Sequence, residues 1–342
     1  MRLGVRGFGR VGHRRAQGFP QPLNLEAVAR SWAVGAEYAM LCAIWGSTWL
    51  VILLGMAGVS PFLGASLRFV VAVAVLLAIA AVRRRPFPHG RTELGLVAFV
   101  GVVLFGADYG LIYWGEANGV PSGLSAVLFA TLPLQTALIA HVLIPSERLT
   151  VPKIVGIFAG LAGLVLIFRG QLAVVGAAIV FPMAAIVLSS TCAAASSVAV
   201  KRWGHGVDPV TFNLEAMAIG AVVLGAASVV SGEPQAWPAW PAGVLSILYL
   251  AVFGSVITFV VYLSLLKRIE VSAMSFIAMI TPIVALVLGF VVLGETVETL
   301  AILGTVLTLA GVYVSTQVGR ARRPSVVAPE SAVTGDGPVD RE

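Results

Sequence analysis

The chain divides into a succession of apolar runs, each about as long as a helix needs to cross the hydrocarbon core of a bilayer, roughly 20 residues. Ten can be read, at roughly 36–56, 61–82, 94–114, 120–143, 152–169, 174–200, 210–231, 242–266, 271–293 and 298–317. The runs are unbroken and their connections short, whereas a membrane β-barrel would alternate in segments of about 10 residues. Hydrophobic residues make up 58% of the 342 and charged residues only 11%, against about 25% charged in soluble domains. A chain this apolar has no surface to offer water. The expected fold is an all-α integral membrane protein of ten transmembrane helices. Tails at 1–35 and 318–342 are expected to be aqueous and disordered, the second rich in Pro, Ser, Glu, Asp and Gly.

The net charge of +6 raises the question of nucleic acid, but the distribution of the basic residues answers it. With the N-terminus inside, 20 of the 22 Lys and Arg fall on inner segments. They cluster as Arg2 to Arg30, Arg83 to Arg91, Arg148 with Lys153, Lys201 with Arg202, Lys267 with Arg268, and Arg320 to Arg341. The outer loops hold Arg169 alone, and Arg68 lies within the second span. This positive-inside bias predicts both termini in the cytoplasm and an even number of spans; the expected location is a bacterial inner membrane. The charge is topology, so no nucleic-acid partner is expected. Trp237 and Trp240, in the outer loop after the seventh span, suit interfacial anchors.

Two N-terminal signatures are set aside. Gly7-Phe8-Gly9-Arg10-Val11-Gly12 fits GxGxxG, but that fingerprint needs a preceding buried strand and a βαβ unit, which this sequence does not supply. A basic disordered tail, or a start assigned upstream of a true one at Met40, is the expectation. Arg14-Arg15 is similar to a twin-arginine signal, yet a ten-span chain needs no cleaved leader. Cys42 and Cys192 both fall inside predicted spans, where thiols are packing residues; neither a disulfide framework nor a metal site is indicated.

Spacings recur along the chain. Tyr113 precedes Pro133 by 20 residues, as Tyr262 precedes Pro282. Glu147 is followed by Gly156 and Gly163 at the offsets at which Glu295 is followed by Gly304 and Gly311. The halves 36–169 and 174–317 therefore read as copies of five helices each. Five is odd, so the second copy enters the membrane in the opposite sense, the inverted-repeat architecture of secondary transporters that bind substrate near the midplane between halves.

Several segments resemble the EamA-type transporters of the drug/metabolite transporter superfamily. They are Trp45-Gly46-Ser47-Thr48-Trp49, Pro61 with Arg68-Phe69, Tyr113-Trp114-Gly115-Glu116, Pro121-Ser122-Gly123-Leu124, Pro133, and the two glutamates followed by spaced glycines. The resemblance covers residues 36–317 and is clearer in the first half; the start of the second lacks a counterpart of the Trp-Gly-Ser and Arg-Phe motifs. It implies two five-helix repeats around a central cavity and export of small metabolites such as amino acids, nucleosides, purines or drugs.

Ionisable groups at membrane depth are functional candidates by default. Arg68 and Asp108 each lie six or seven residues below the outer ends of their spans, roughly 10 Å deep at 1.5 Å per residue. An ion pair between them is expected, since an unpaired charge there is expensive; it would serve as a gate, a substrate contact or a helix lock. Glu215, near the inner end of the seventh span, is either a proton-coupling carboxylate or a snorkelling one. His141 reads as a hydrogen-bonded interface residue. Glu147 and Glu295 read as caps on the following helix or bridges to the neighbouring repeat.

The expected cavity residues are the mid-depth polar and aromatic ones. These are Trp45, Ser47, Thr48, Trp49, Tyr109, Tyr113, Thr131, Gln135 and Thr136 in the first half, with Tyr262, Ser275, Met279 and Thr281 in the second. Such a wall suits amphipathic solutes, although any single Ser or Thr also serves helix packing. The competing reading is an intramembrane enzyme acting on a lipid-soluble substrate. No HExxH, paired-Asp cluster or Ser with a His at membrane depth is found, and no P-loop. The chain is thus expected to be a non-enzymatic exporter, without cofactor, working by alternating access on a gradient (protons being one candidate) or by plain diffusion. Its expected partners are a small-molecule substrate and the lipid bilayer, with a homodimer left open.

Overall fold

The computed structural model describes residues 25–170, 176–293 and 298–317. Ten helices run through them: α1 (Leu25–Met56), α2 (Pro61–Arg83), α3 (Arg91–Ala117), α4 (Ser122–Leu143), α5 (Val151–Ile167), α6 (Val180–Trp203), α7 (Pro209–Val230), α8 (Ala242–Leu266), α9 (Val271–Ser275, resuming as Ile277–Leu293) and α10 (Thr299–Gln317). Among the described residues nine are long and apolar enough to cross a membrane, and α5, with 17 residues, is the short one. The chain is a ten-helix membrane protein. α1 begins well before residue 36, because Leu25–Gly35 is rich in the good helix formers Leu, Ala, Glu and Arg. Glu295 and the bulk of both predicted tails lie outside the described residues.

Proline and carboxylate caps fix where helices start. α2 opens with Pro61, and the Glu233 carboxylate accepts from the Phe62 and Leu63 amides at 3.1 and 3.2 Å. α7 opens with Pro209 behind Asp208, whose side chain accepts from Val210 N and Thr211 N. Both satisfy amides that the helix itself leaves unpaired. Glu147 caps a helix as well, but not the one that follows it. Its carboxylate takes Val271 N at 2.8 Å, Ser272 N at 3.1 Å and Ser272 Oγ at 2.8 Å, holding the start of α9 in the other repeat.

The repeats are packed in opposite senses. Along α2 and α7, Phe62 meets Glu233, Ser66 Oγ donates to the Ala221 carbonyl, and Thr211 Oγ1 donates to the Pro86 carbonyl, so the two helices run antiparallel. α5 and α10 do the same. A Cβ on Gly156 would meet the Gly311 carbonyl, and one on Gly163 would meet the Gly304 carbonyl. Ser315 Oγ and Thr308 Oγ1 donate across this seam to the carbonyls of Lys153 and Gly160. Without a hydrophobic force between helices in lipid, such close small-residue contact is what holds them. α1 packs on α9 and α4 on α6, a pair exchanged by the same pseudo-symmetry. The outward faces carry Val82, Val142, Phe181 and Val230, all more than three-quarters exposed, as a lipid-facing surface requires.

Each repeat also interrupts its third helix. α3 passes through a π-helical stretch at Gly101–Asp108 and α8 through one at Val252–Ile257. These are equivalent helices; Leu104 and Asp108 of the first stretch line a central space, and the second stretch lies behind Arg68, which lines it too.

Candidate functional site

That space is a cavity of about 120 Å³ walled by helices of both repeats. Its aromatic wall is interlocked: Trp45 lies 5.4 Å, centroid to centroid, from both Phe259 and Tyr262, and Trp49 lies 5.8 Å from Phe129. Tyr262 Oη donates to Ser197 Oγ at 2.9 Å, tying α8 to α6.

Arg68 is 1% exposed and is held by α8. Nε donates to Ser255 Oγ at 2.8 Å, and Nη2 to the Gly254 carbonyl at 2.8 Å and to Tyr109 Oη at 3.4 Å. The guanidinium carbon stands 4.8 Å from the Tyr109 ring centroid and 5.5 Å from that of Phe69. Both α8 acceptors lie in the π-helical stretch of that helix, an irregularity that recurs at functional sites. Ser255 Oγ in turn donates to the Leu250 carbonyl, five residues back. Gly254 admits the guanidinium because it lacks a side chain; a Cβ there would stand 3.2 Å from Nη2 and 3.1 Å from Thr48 Cγ2. Nη1 is buried and has no partner among the described residues.

The expected ion pair between Arg68 and Asp108 is not formed. Asp108, 2% exposed, ends the π stretch of α3 and is turned toward the Ser189 hydroxyl of α6, with Oδ1 unpartnered. Arg68, on α2, reaches α8, whereas Asp108, at the end of the π stretch of α3, faces α6. Both nevertheless line the cavity. One free guanidinium nitrogen and one free carboxylate oxygen, among aromatic walls, are groups a solute can engage.

Of the other expected cavity residues, Trp45, Thr48, Trp49, Tyr109, Tyr262 and Thr281 are on the wall. The rest are not. Ser47 faces away, with Oγ bonded to the Ile44 carbonyl and to Tyr249 Oη at 2.7 Å each. Thr131 and Gln135 form a network with Ser190 and the Val187 carbonyl that joins α4 to α6. Tyr113 borders a separate small void with Gly64 and Ser246. Met279 fills the space over Gly160 in the α4–α5–α9 core, Ser275 bonds the Ser272 carbonyl, and Thr136 is buried beside that core. Glu215 is half-buried on α7, away from the cavity. His141 Nδ1 accepts from Leu149 N at 3.3 Å. Among the described residues, no group of three or more His, Cys, Asp or Glu converges as a metal site would.

The EamA-like transporter family model matches residues 33–169 and again 180–317. The chain belongs to that family. Within it, the chain is 34% identical over 267 residues to the uncharacterized inner membrane transporter YedA of Escherichia coli (strain K12), covering 77% of this chain and 84% of YedA. It is 26% identical over 274 residues to the uncharacterized transporter YoaV of Bacillus subtilis (strain 168), covering 80% and 93%. A solved crystal structure at 20% identity superimposes with TM-score 0.70 over 84% of this chain and 99% of its own, and shows the same fold. This EamA-like chain is a membrane transporter.

Sequence reasoning missed Gly254 and Ser255, which anchor Arg68, and Phe259, Ser189 and Ser197, which complete the surroundings of Arg68, Asp108 and Tyr262. A small-residue pair in mid-span, Gly254-Ser255 between Phe253 and Val256, was the available signal.

Proposed function

We propose that the chain is a secondary transporter that exports small metabolites or drugs from the cytoplasm by alternating access, in an inner membrane with both termini inside. The observation that carries this reading is the cavity between two inverted repeats, with Arg68 Nη1 and Asp108 Oδ1 unpartnered on its wall. A buried charged nitrogen and a buried carboxylate oxygen left without partners are costly unless a bound group completes them. Trp45, Trp49, Tyr109 and Tyr262 supply apolar area for the remainder of the solute. The cavity volume of about 120 Å³ favours small solutes. Antiparallel packing gives the two repeats equivalent contacts toward opposite membrane faces, which is the basis for rocking around a fixed site.

Overexpression in a sensitive host tests this reading, scoring resistance to toxic amino acids, purines and cationic drugs. Resistance to at least one class, lost in Arg68→Gln and Asp108→Asn proteins that still reach the membrane, is the expected result. Resistance indistinguishable from an empty vector across the panel would contradict it, as would resistance unaffected by both substitutions.

A further inference from the structure

Glu116 is the penultimate residue of α3 and is 6% exposed. Neither Oε1 nor Oε2 has a hydrogen-bond partner. The Ser125 hydroxyl of α4, itself fully buried and unpartnered, faces it. The α3–α4–α6 corner is otherwise apolar: Gly115 is pressed on Ile186, which packs with Val120 and Leu124.

Among the described residues around it, no counter-charge is present. The end of α3 packs on α6, α2, the start of α4 and α1. The outer half of α6 carries only the thiol of Cys192, the start of α4 carries no ionisable group, and α1 has none from Trp45 to Met56. Arg68 on α2 directs Nε and Nη2 to Ser255, Gly254 and Tyr109 and forms no ion pair with Glu116. On α3 itself the neighbours are Tyr113 and Asp108. With one hydroxyl facing it and no paired cation, an ionised carboxylate is strongly disfavoured in such a setting, whereas a neutral carboxyl is tolerated.

We infer that Glu116 is a proton-binding site, protonated in the arrangement seen here and releasing its proton when the α3–α4–α6 corner opens to water. Resting on the transporter reading, this makes Glu116 the residue that couples solute movement to proton movement. Asp108 lies eight residues earlier on the same helix, about 12 Å away at 1.5 Å per residue. One helix thus carries a carboxyl on the cavity wall and a second beyond it, so a shift of α3 that exposes one is felt by the other.

Infrared spectroscopy of the full-length protein in lipid at neutral pH reads the protonated carboxyl directly and needs no solute. The expected result is a carboxyl C=O band that Glu116→Gln removes, Asp108→Asn leaves in place, and Ser125→Ala shifts in frequency. A band unchanged in Glu116→Gln, or absent from the wild type, overturns the inference. Vesicle flux then tests coupling with any solute the resistance panel supplies. Glu116→Gln should still exchange labelled for unlabelled solute at equal pH while losing accumulation driven by a pH gradient. Unchanged gradient-driven accumulation, or loss of exchange as well, overturns the coupling role. Wild-type vesicles that move no solute would contradict the transporter reading instead, leaving the infrared band to decide the proton site.

Discussion

Arg68 donates Nη2 to the main-chain carbonyl of Gly254 at 2.8 Å, and this bond joins the two repeats at the wall of the cavity. The carbonyl lies in the π-helical stretch of α8, and the approach is close because position 254 has no side chain. The cation is thereby fixed with one nitrogen left over. A free charge held rigidly is better suited to meeting a solute than a mobile one, because the ordering cost is already met by the fold.

Restoring a side chain at position 254 should disturb this arrangement. Gly254→Ala is expected to destabilise the protein by about 1–3 kcal/mol through overpacking against Thr48 and Arg68. Gly254→Val should cost more. Thermal unfolding in detergent, followed by tryptophan fluorescence, measures both, and flux should fall in the same order.

Arg68→Lys keeps the charge but loses the planar fork that reaches Ser255 Oγ and the Gly254 carbonyl together. Losing one hydrogen bond to a charged group costs about 1.5–3 kcal/mol, so a reduction in flux of roughly tenfold or more is expected. Wild-type flux through the Arg68→Lys variant would show that the fork is not needed.

The spans were legible because length and hydrophobicity alone define a transmembrane helix, and the glycine spacing of α5 and α10 was legible because close helix contact in lipid demands small residues. The wall of the cavity was only partly so. Depth can be counted along a helix, and Trp45, Thr48, Trp49, Tyr109, Tyr262 and Thr281, chosen by that count, line the wall. Azimuth cannot be counted, because a helix between protein and lipid is apolar nearly all round and shows no clear polar face. Ser47, Thr131 and Gln135 have the same depth but point at neighbouring helices. The π stretches add to this, since each extra residue turns the following side chains by about 100°.

The seam between α5 and α10 should be intolerant of bulk. Gly156→Leu and Gly311→Leu would each force a side chain into the facing backbone. Either substitution is expected to abolish the monodisperse folded species on size-exclusion chromatography. The exposed, lipid-facing Val155→Leu on the same helix should leave it unchanged.

Glu147 anchors α9 from the opposite repeat. Glu147→Ala should destabilise the protein by about 1–2 kcal/mol, the usual cost of a lost cap, and more than Glu147→Gln, which retains acceptor capacity on one oxygen. A double-mutant cycle with Ser272→Ala measures the side-chain part of the contact. A coupling energy near zero would show that the amide contacts carry it alone.

The most direct test of the central claim is solute flux in proteoliposomes containing the purified wild-type protein, with the transported compound identified chemically on both sides of the membrane. The account predicts that a small solute crosses unaltered and that Asp108→Asn and Arg68→Gln each cut the flux at least tenfold while the proteins remain folded, roughly the effect of losing a 1.4 kcal/mol interaction. A chemically changed product, or flux through both variants equal to wild type, would contradict it.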